Sequence, residues 1–166
     1  MTAIKWNGNL TKHFTADEYV IGNSPKATLT IDMRAMAFAR LLEKFRVWLD
    51  RPMIINSWKR SEALNREVGG IASSNHLKGT AADWHTNIPI TEALFIKWAK
   101  KWKKICKAAG LVGEAGFYPW GIHFGIQSEA QIKANGGRFV NWKTIYVTDP
   151  KTGKKIAKQT TGYYNI

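Results

Sequence analysis

Apolar residues recur at steps of three and four along two long stretches of the chain. This period is typical of an amphipathic helix that buries one face. Asp32 and Thr91 are suited to cap the two helix starts, and Pro52 follows the first stretch, so we predict helices over 32–50 and 92–109. The apolar positions are Met33, Met36, Phe38, Leu41, Leu42, Phe45, Trp48 and Leu49 in the first helix, and Leu94, Phe95, Trp98, Trp102, Ile105 and Cys106 in the second.

Local end signals indicate three shorter helices. Thr15 and Glu18 have the spacing of a capping box, in which each side chain satisfies a free backbone amide of the other residue. A serine caps a second helix over 61–68, which Gly69-Gly70 ends. A weaker helical segment covers 128–135.

Apolar and alternating runs of strand length predict the sheet, with Pro and Gly in the turns between them. The predicted strands are 53–58, 80–84, 111–116, 121–127, 139–148 and 154–161, with turns at Pro119 and at 149–153.

Together these elements predict an α+β fold, with the long helices packed on one side of a small, mostly antiparallel sheet and a cleft on its open face. The chain has 166 residues, of which 45% are hydrophobic, which suits a single domain over 1–166 with a buried core. Cys106 is the only cysteine, so no intrachain disulfide can form.

The sequence contains no apolar run long enough to span a bilayer, and Met1 to Leu10 does not have the pattern of a secretory signal. We therefore expect no membrane span and synthesis in the cytoplasm. We also expect a monomer.

The net charge of +13 predicts attraction to a polyanion. Basic residues cluster at 97–104 and at 151–158, and neither cluster has a recognisable nucleic-acid-binding motif. Charge alone does not choose among nucleic acid, anionic lipid and an anionic cell-wall polymer.

His76 and Asp83 offer the imidazole and carboxylate ligands that zinc accepts, and a catalytic zinc site usually takes three protein ligands. Seven positions separate them, which on a straight strand would span roughly 23 Å. The stretch must therefore turn, and Lys78-Gly79 is the natural place. A third ligand must come from elsewhere, and His123, in an apolar run flanked by glycines, is a candidate.

Several short motifs follow one another in order between about Phe14 and Phe124. They are Asn56-Ser57-Trp58-Lys59-Arg60-Ser61, Leu64-Asn65, Val68-Gly69-Gly70, Ser74-x-His76-x-x-Gly79-x-Ala81-x-Asp83, Gly116-Phe117-Tyr118-Pro119 and Ile122-His123. In this order they resemble zinc D-alanyl-D-alanine carboxypeptidases of the VanY type. The metal scaffold is shared with the hedgehog signalling domain, and Glu114-Ala115-Gly116-Phe117 is similar to a segment there.

The resemblance implies a hedgehog-like or D-Ala-D-Ala-peptidase-like fold and a Zn²⁺ cofactor. It makes His76, Asp83 and His123 the zinc ligands. It also implies that Arg60 faces the substrate carbonyl and that Ser74 is a substrate-binding or supporting hydroxyl. Zinc polarises such a carbonyl, while a guanidinium donates to the developing oxyanion.

The chain departs from the pattern at the general base. Many relatives have an acid three positions before the last histidine, where this chain has Trp120, and others have Asp two positions after it, where this chain has Gly125. Peptide hydrolysis needs a group that moves a proton to the leaving amine. Glu114 and His85 are the candidates, and the sequence leaves the choice open.

The resemblance implies a zinc peptidase that cuts peptide stems of peptidoglycan, as a D,D-carboxypeptidase or an endopeptidase. The charge and the expected cytoplasmic synthesis are similar to those of a bacteriophage wall-degrading enzyme, which acts at the cell wall and is drawn to an anionic wall polymer. One alternative is an inactive zinc-containing module that binds the wall or a protein. Another is nucleic-acid binding through 97–104. The C-terminal extension, 126–166, could complete the sheet, roof the cleft or bind the wall.

Overall fold

The computed structural model describes residues 1–5, 7–23 and 28–166. Its elements along the chain are β1 Thr2–Lys5, α1 Ala16–Tyr19, β2 Thr28–Ile31, α2 Met33–Leu49, β3 Ile54–Ser57, α3 Glu62–Glu67, a 3₁₀ helix Asn75–Lys78, β4 Ala81–His85, α4 Glu92–Ala108, β5 Gly113–Tyr118, β6 Gly121–Ile126, α5 Glu129–Ala134, β7 Val140–Thr148 and β8 Lys155–Thr161. The predicted α+β fold is confirmed. Among the described residues, no helix has the length and apolarity needed to cross a membrane.

The main sheet has six strands in the order β3-β4-β6-β5-β7-β8. All neighbours are antiparallel except β5 and β7, which run parallel. The predicted mostly antiparallel sheet is therefore confirmed. A separate ribbon of β1 and β2 was not predicted, because these short strands are largely exposed and lack a clear alternation.

The long helices lie where the hydrophobic period predicts them, with their apolar faces on one side of the sheet. Trp102 of α4 stacks on Phe124 of β6 at 4.8 Å between ring centroids, and Phe45 of α2 meets the same ring edge-on at 4.9 Å. All three side chains are fully buried. Burial of these rings fixes which face of β6 meets the helices.

Strand alternation then sends the polar side chains to the opposite face. Trp84 and Phe124 point to the helices, so Asp83 and His123, one position earlier on each strand, point away from them. Asp83 and His123 are also direct partners in the β4–β6 register. The sheet thus brings two predicted ligands together on its open face.

The C-terminal hairpin completes the sheet on the side of β5. Trp142 of β7 pairs with Gly116, and β8 pairs along β7 from Thr161 to Lys155. Tyr164, beyond β8, is buried against Phe95 of α4. Of the three possibilities for residues 126–166, the structure therefore shows completion of the sheet.

Candidate metal centre

The turn that brings His76 to Asp83 is a 3₁₀ helix closed by a glycine. The Ser74 hydroxyl caps its start by accepting from the His76 backbone N–H at 3.3 Å. Gly79 ends it with φ of 68°, a left-handed conformation that glycine adopts without strain. A Cβ at Gly79 would also overlap the Tyr19 hydroxyl. The predicted turn at Lys78-Gly79 is confirmed.

Within the described part of the chain, His76, Asp83 and His123 form a group that could hold a metal ion. Asp83 Oδ1 lies 3.2 Å from His76 Nε2 and 2.8 Å from His123 Nδ1, and the two nitrogens are 3.3 Å apart. All three side chains are buried. We call these three atoms the ligand triad.

The outward ring nitrogens of both histidines have acceptors of their own. His76 Nδ1 donates to the Trp58 carbonyl at 2.7 Å, and His123 Nε2 donates to Glu114 Oε1 at 3.0 Å. In a neutral imidazole, the nitrogen that donates to such an acceptor carries the proton. The other nitrogen then keeps the lone pair with which it can bind a metal. Two imidazoles and a carboxylate are also a known ligand set for zinc. The residues present therefore fit a divalent metal.

Arg60 binds the oxygen of Asp83 that faces away from the histidines. Its Nη2 donates to Asp83 Oδ2 at 2.5 Å, and its Nε donates to the Ser57 hydroxyl at 2.8 Å. The Arg60 backbone N–H also donates to the His76 carbonyl at 3.0 Å. Arg60 thereby fixes the orientation of the carboxylate and ties it to the 3₁₀ helix.

The charges of the site are strongly coupled. Burial opposes ionisation of Asp83, but the adjacent His76 and His123 hold its pKa far below the usual range. Burial likewise opposes protonation of His123, but hydrogen bonds to Asp83 and Glu114 raise its pKa to about 9. For His76, burial dominates and lowers the pKa. Without a metal, protonated His123 therefore supplies the positive charge between the Asp83 and Glu114 carboxylates.

A family model described as Peptidase M15 matches residues 12–118, which is more than half of the chain. The chain belongs to the Peptidase M15 family. No curated protein and no solved structure matches it. M15 peptidases depend on metal, which agrees with the buried ligand triad. The matched segment contains His76 and Asp83 but ends before His123, so the place of His123 in the triad rests on the distances above.

Glu114 of this M15 chain lies behind His123, on the ring nitrogen that faces away from the triad. Its Oε1 also accepts from Asn75 Nδ2 at 2.9 Å, and the side chain is buried. A Cβ on Gly125, its partner in the β5–β6 register, would come within 2.6 Å of the same oxygen. The glycine thus leaves the space that the Glu114 carboxylate fills.

His85 lies two residues beyond Asp83 on the same face of β4, and it is half-buried. Two residues of a strand span about 7 Å. Its Nδ1 is 2.8 Å from Asn56 Oδ1, so its hydrogen bond leads away from the triad. Trp120 lies in the β5–β6 turn, where Nε1 donates to the Tyr146 hydroxyl at 3.0 Å.

Sequence reasoning missed two side chains of the site. Asn75, which holds Glu114, is adjacent to His76 in sequence and so could have been noticed. Trp142, whose ring centroid is 5.0 Å from that of His123, had no local signal. It reaches the site only because β7 pairs parallel to β5, a long-range contact that periodicity does not reveal.

Proposed function

We propose that this M15 chain is a zinc-dependent peptidase that hydrolyses the peptide stems of bacterial peptidoglycan, as a D,D-carboxypeptidase or an endopeptidase. The observation that carries the proposal is the buried triad of His76, Asp83 and His123 on the open face of the sheet. The ordered motifs that resemble VanY-type carboxypeptidases support the choice of substrate.

Zinc is the proposed metal because two imidazole nitrogens and one carboxylate oxygen form a typical catalytic zinc set with a position left for substrate or water. A zinc ion held there supplies a Lewis acid that polarises a carbonyl and makes water a nucleophile near neutral pH.

We assign Arg60 a double role. Its hydrogen bond keeps Asp83 Oδ1 turned toward the histidines. As a fixed cation beside the triad, it also stabilises negative charge that develops on the scissile carbonyl oxygen. Ser74, which is half-buried, is proposed to support the site through its hydrogen bond with the backbone of His76.

Glu114 and His85 are proposed to have separate roles, Glu114 in orienting a ligand and His85 in proton transfer. The Glu114 contact with His123 Nε2 supports a positioning role, because an outer carboxylate fixes the ring and raises its basicity. His85 is half-buried on the same strand face as Asp83 and is our candidate for moving a proton at the leaving amine.

The test is hydrolysis of purified peptidoglycan by the zinc-loaded protein. We expect release of new amino groups or of D-alanine, and loss of that release with a chelator or in His76→Ala. His13→Ala is the matched control, because His13 is bonded to Glu43 rather than to the triad. Absence of release from zinc-bound protein across the pH range would overturn the proposal.

A second candidate function is a zinc-containing binding module without catalysis. One observation favours it. Asp83 and Glu114 are the two acids among the buried residues that the structure describes, and the carboxylates of both form hydrogen bonds with His123. Binding to intact wall without turnover, unchanged in Glu114→Gln and His85→Ala, would support this alternative.

We further propose that the protein acts at the cell wall, in the manner of a bacteriophage lysis enzyme. The net charge of +13 supports attraction to an anionic wall polymer. The tryptophans of the basic stretch 97–104, Trp98 and Trp102, are buried, so they offer no stacking surface to nucleic-acid bases.

A further inference from the structure

An aromatic side chain from the C-terminal hairpin lies directly beside the ligand triad. The Trp142 ring centroid is 5.0 Å from that of His123. A Cβ on Gly116 would overlap the Trp142 indole, so the absence of a side chain at Gly116 is what admits the ring. The open face of the sheet therefore continues from the triad onto β7.

Three more aromatic side chains follow Trp142 on this face. The ring centroids of Tyr118 and Trp120 are 5.0 Å apart, and Trp120 Nε1 donates to the Tyr146 hydroxyl at 3.0 Å. Gln159 of β8 donates to the Tyr118 hydroxyl at 3.2 Å. We call Tyr118, Trp120 and Tyr146 the aromatic platform.

The aromatic platform is accessible and close to the triad. Trp120 and Tyr146 are each 44% exposed. Gly116 pairs with His123, and Tyr118 is two residues further along β5, which is about 7 Å. Tyr146 is four residues beyond Trp142, which is about 14 Å. A substrate bound over the triad thus has the platform beside it.

The chemistry of the platform suits one kind of ligand. The Trp120 indole N–H bonds to the Tyr146 hydroxyl and Gln159 bonds to the Tyr118 hydroxyl, so the polar edges of the three rings are held together, while Trp120 and Tyr146 stay substantially exposed. The three side chains are uncharged at neutral pH. An exposed aromatic surface with polar groups at its edge marks an interaction site for a partly apolar, partly polar partner. A pyranose ring has this character, because its C–H face is apolar and its hydroxyls lie around the rim.

We propose that the aromatic platform binds a sugar ring of the glycan strand to which the peptide stem is attached. This inference rests on the proposed peptidase function and extends it from the peptide to the glycan. Trp120 and Tyr146 lie beyond the family match, which ends at residue 118. Tyr118 is the last matched residue, so two of the three rings come from the β5–β6 turn and the C-terminal hairpin outside the match.

The first experiment compares two substrates with the same stem peptide, one attached to a disaccharide and one without sugar, using full-length zinc-loaded protein. Trp120→Ala raises KM for the sugar-bearing substrate about tenfold, equivalent to about 1.4 kcal/mol, and leaves KM for the free peptide unchanged. Trp120→Phe, which keeps a ring, retains most of the preference. Trp48→Ala is the matched control, because Trp48 is 39% exposed on α2. An equal change for both substrates, or no change, overturns the proposal.

A second experiment separates this inference from the peptidase proposal. A tetrasaccharide of N-acetylglucosamine, which has no peptide bond of the stem type, is titrated into the protein and followed by calorimetry. Binding that weakens about tenfold in Trp120→Ala and in Tyr146→Ala, equivalent to about 1.4 kcal/mol, supports the subsite even if no peptide is cleaved. Tyr163→Ala, at a residue that is 51% exposed, controls for loss of a surface ring. If the protein cleaves stems but Trp120→Ala and Tyr146→Ala leave tetrasaccharide binding unchanged, the sugar subsite is overturned. The peptidase proposal then still stands.

Discussion

Asp83 and His123 are direct partners across two antiparallel strands, and Asp83 Oδ1 lies 2.8 Å from His123 Nδ1. Because Trp84 and Phe124 anchor the neighbouring positions in the core, this pair cannot rotate to the other face without loss of the core. The aromatic core on one side of the sheet thus fixes the position of the proposed metal ligands on the other.

Asp83→Ala should strongly destabilise the metal-free protein. Asp83 balances the charges of Arg60 and the protonated His123, and its removal leaves the Arg60 guanidinium without a carboxylate and His123 with Glu114 alone. We expect a loss of about 3–5 kcal/mol in the free energy of unfolding, measured in urea. Glu62→Ala is the control, because the Glu62–Arg66 pair is highly exposed, and we expect a change within about 0.5 kcal/mol. Equal stability of the two variants would contradict this role for Asp83.

Zinc uptake should release a proton near neutral pH. Burial alone would favour neutral His123, but hydrogen bonds to Asp83 and Glu114 raise its pKa to about 9 in the metal-free protein. From the ordinary pKa range of histidine up to about pH 9, His123 in the metal-free protein therefore carries a proton on both ring nitrogens. Zinc must displace one of these protons in order to bind. Zinc affinity should rise with pH up to about 9. Calorimetry at pH 7.5 in two buffers of different ionisation enthalpy counts the protons, and a count of zero would contradict the assignment.

Glu114→Gln separates positioning from proton transfer. If Glu114 orients His123, zinc affinity should fall about 10–100-fold, and kcat at saturating zinc should change much less. If Glu114 were the general base, kcat would fall by roughly 10²–10⁴ even with the site saturated. Zinc titration and steady-state kinetics on the same preparation distinguish the two. His85→Ala is the companion variant, for which we expect unchanged zinc affinity and reduced kcat.

Gly125→Ala should weaken zinc binding without touching a ligand. The added methyl would lie 2.6 Å from Glu114 Oε1, so the carboxylate must move off His123 Nε2. In a Glu114→Ala background the same change should have little further effect, because the clash is gone. Strict additivity of the two effects in a double-mutant cycle would show that Gly125 and Glu114 are not coupled.

The sequence predicted the elements with a buried face and the residues in local motifs. The period of α2 and α4, the capping box at Thr15 and the turn at Gly79 all have local causes, so they could be recognised without the fold. The position of Glu114 could not, because which ring nitrogen of His123 it meets depends on the β5–β6 register. The position of Trp142 beside His123 could not be predicted either, because it depends on the parallel pairing of β7 with β5.

The ligation of zinc by His123 tests the central claim most directly, because His123 lies outside the segment that matches the family. X-ray absorption at the zinc edge should report two imidazoles and one carboxylate at about 2.0–2.2 Å in the zinc-loaded protein. In His123→Ala it should report one imidazole fewer, with zinc affinity sharply reduced. An unchanged zinc environment in His123→Ala would contradict the claim that these strands build the metal centre.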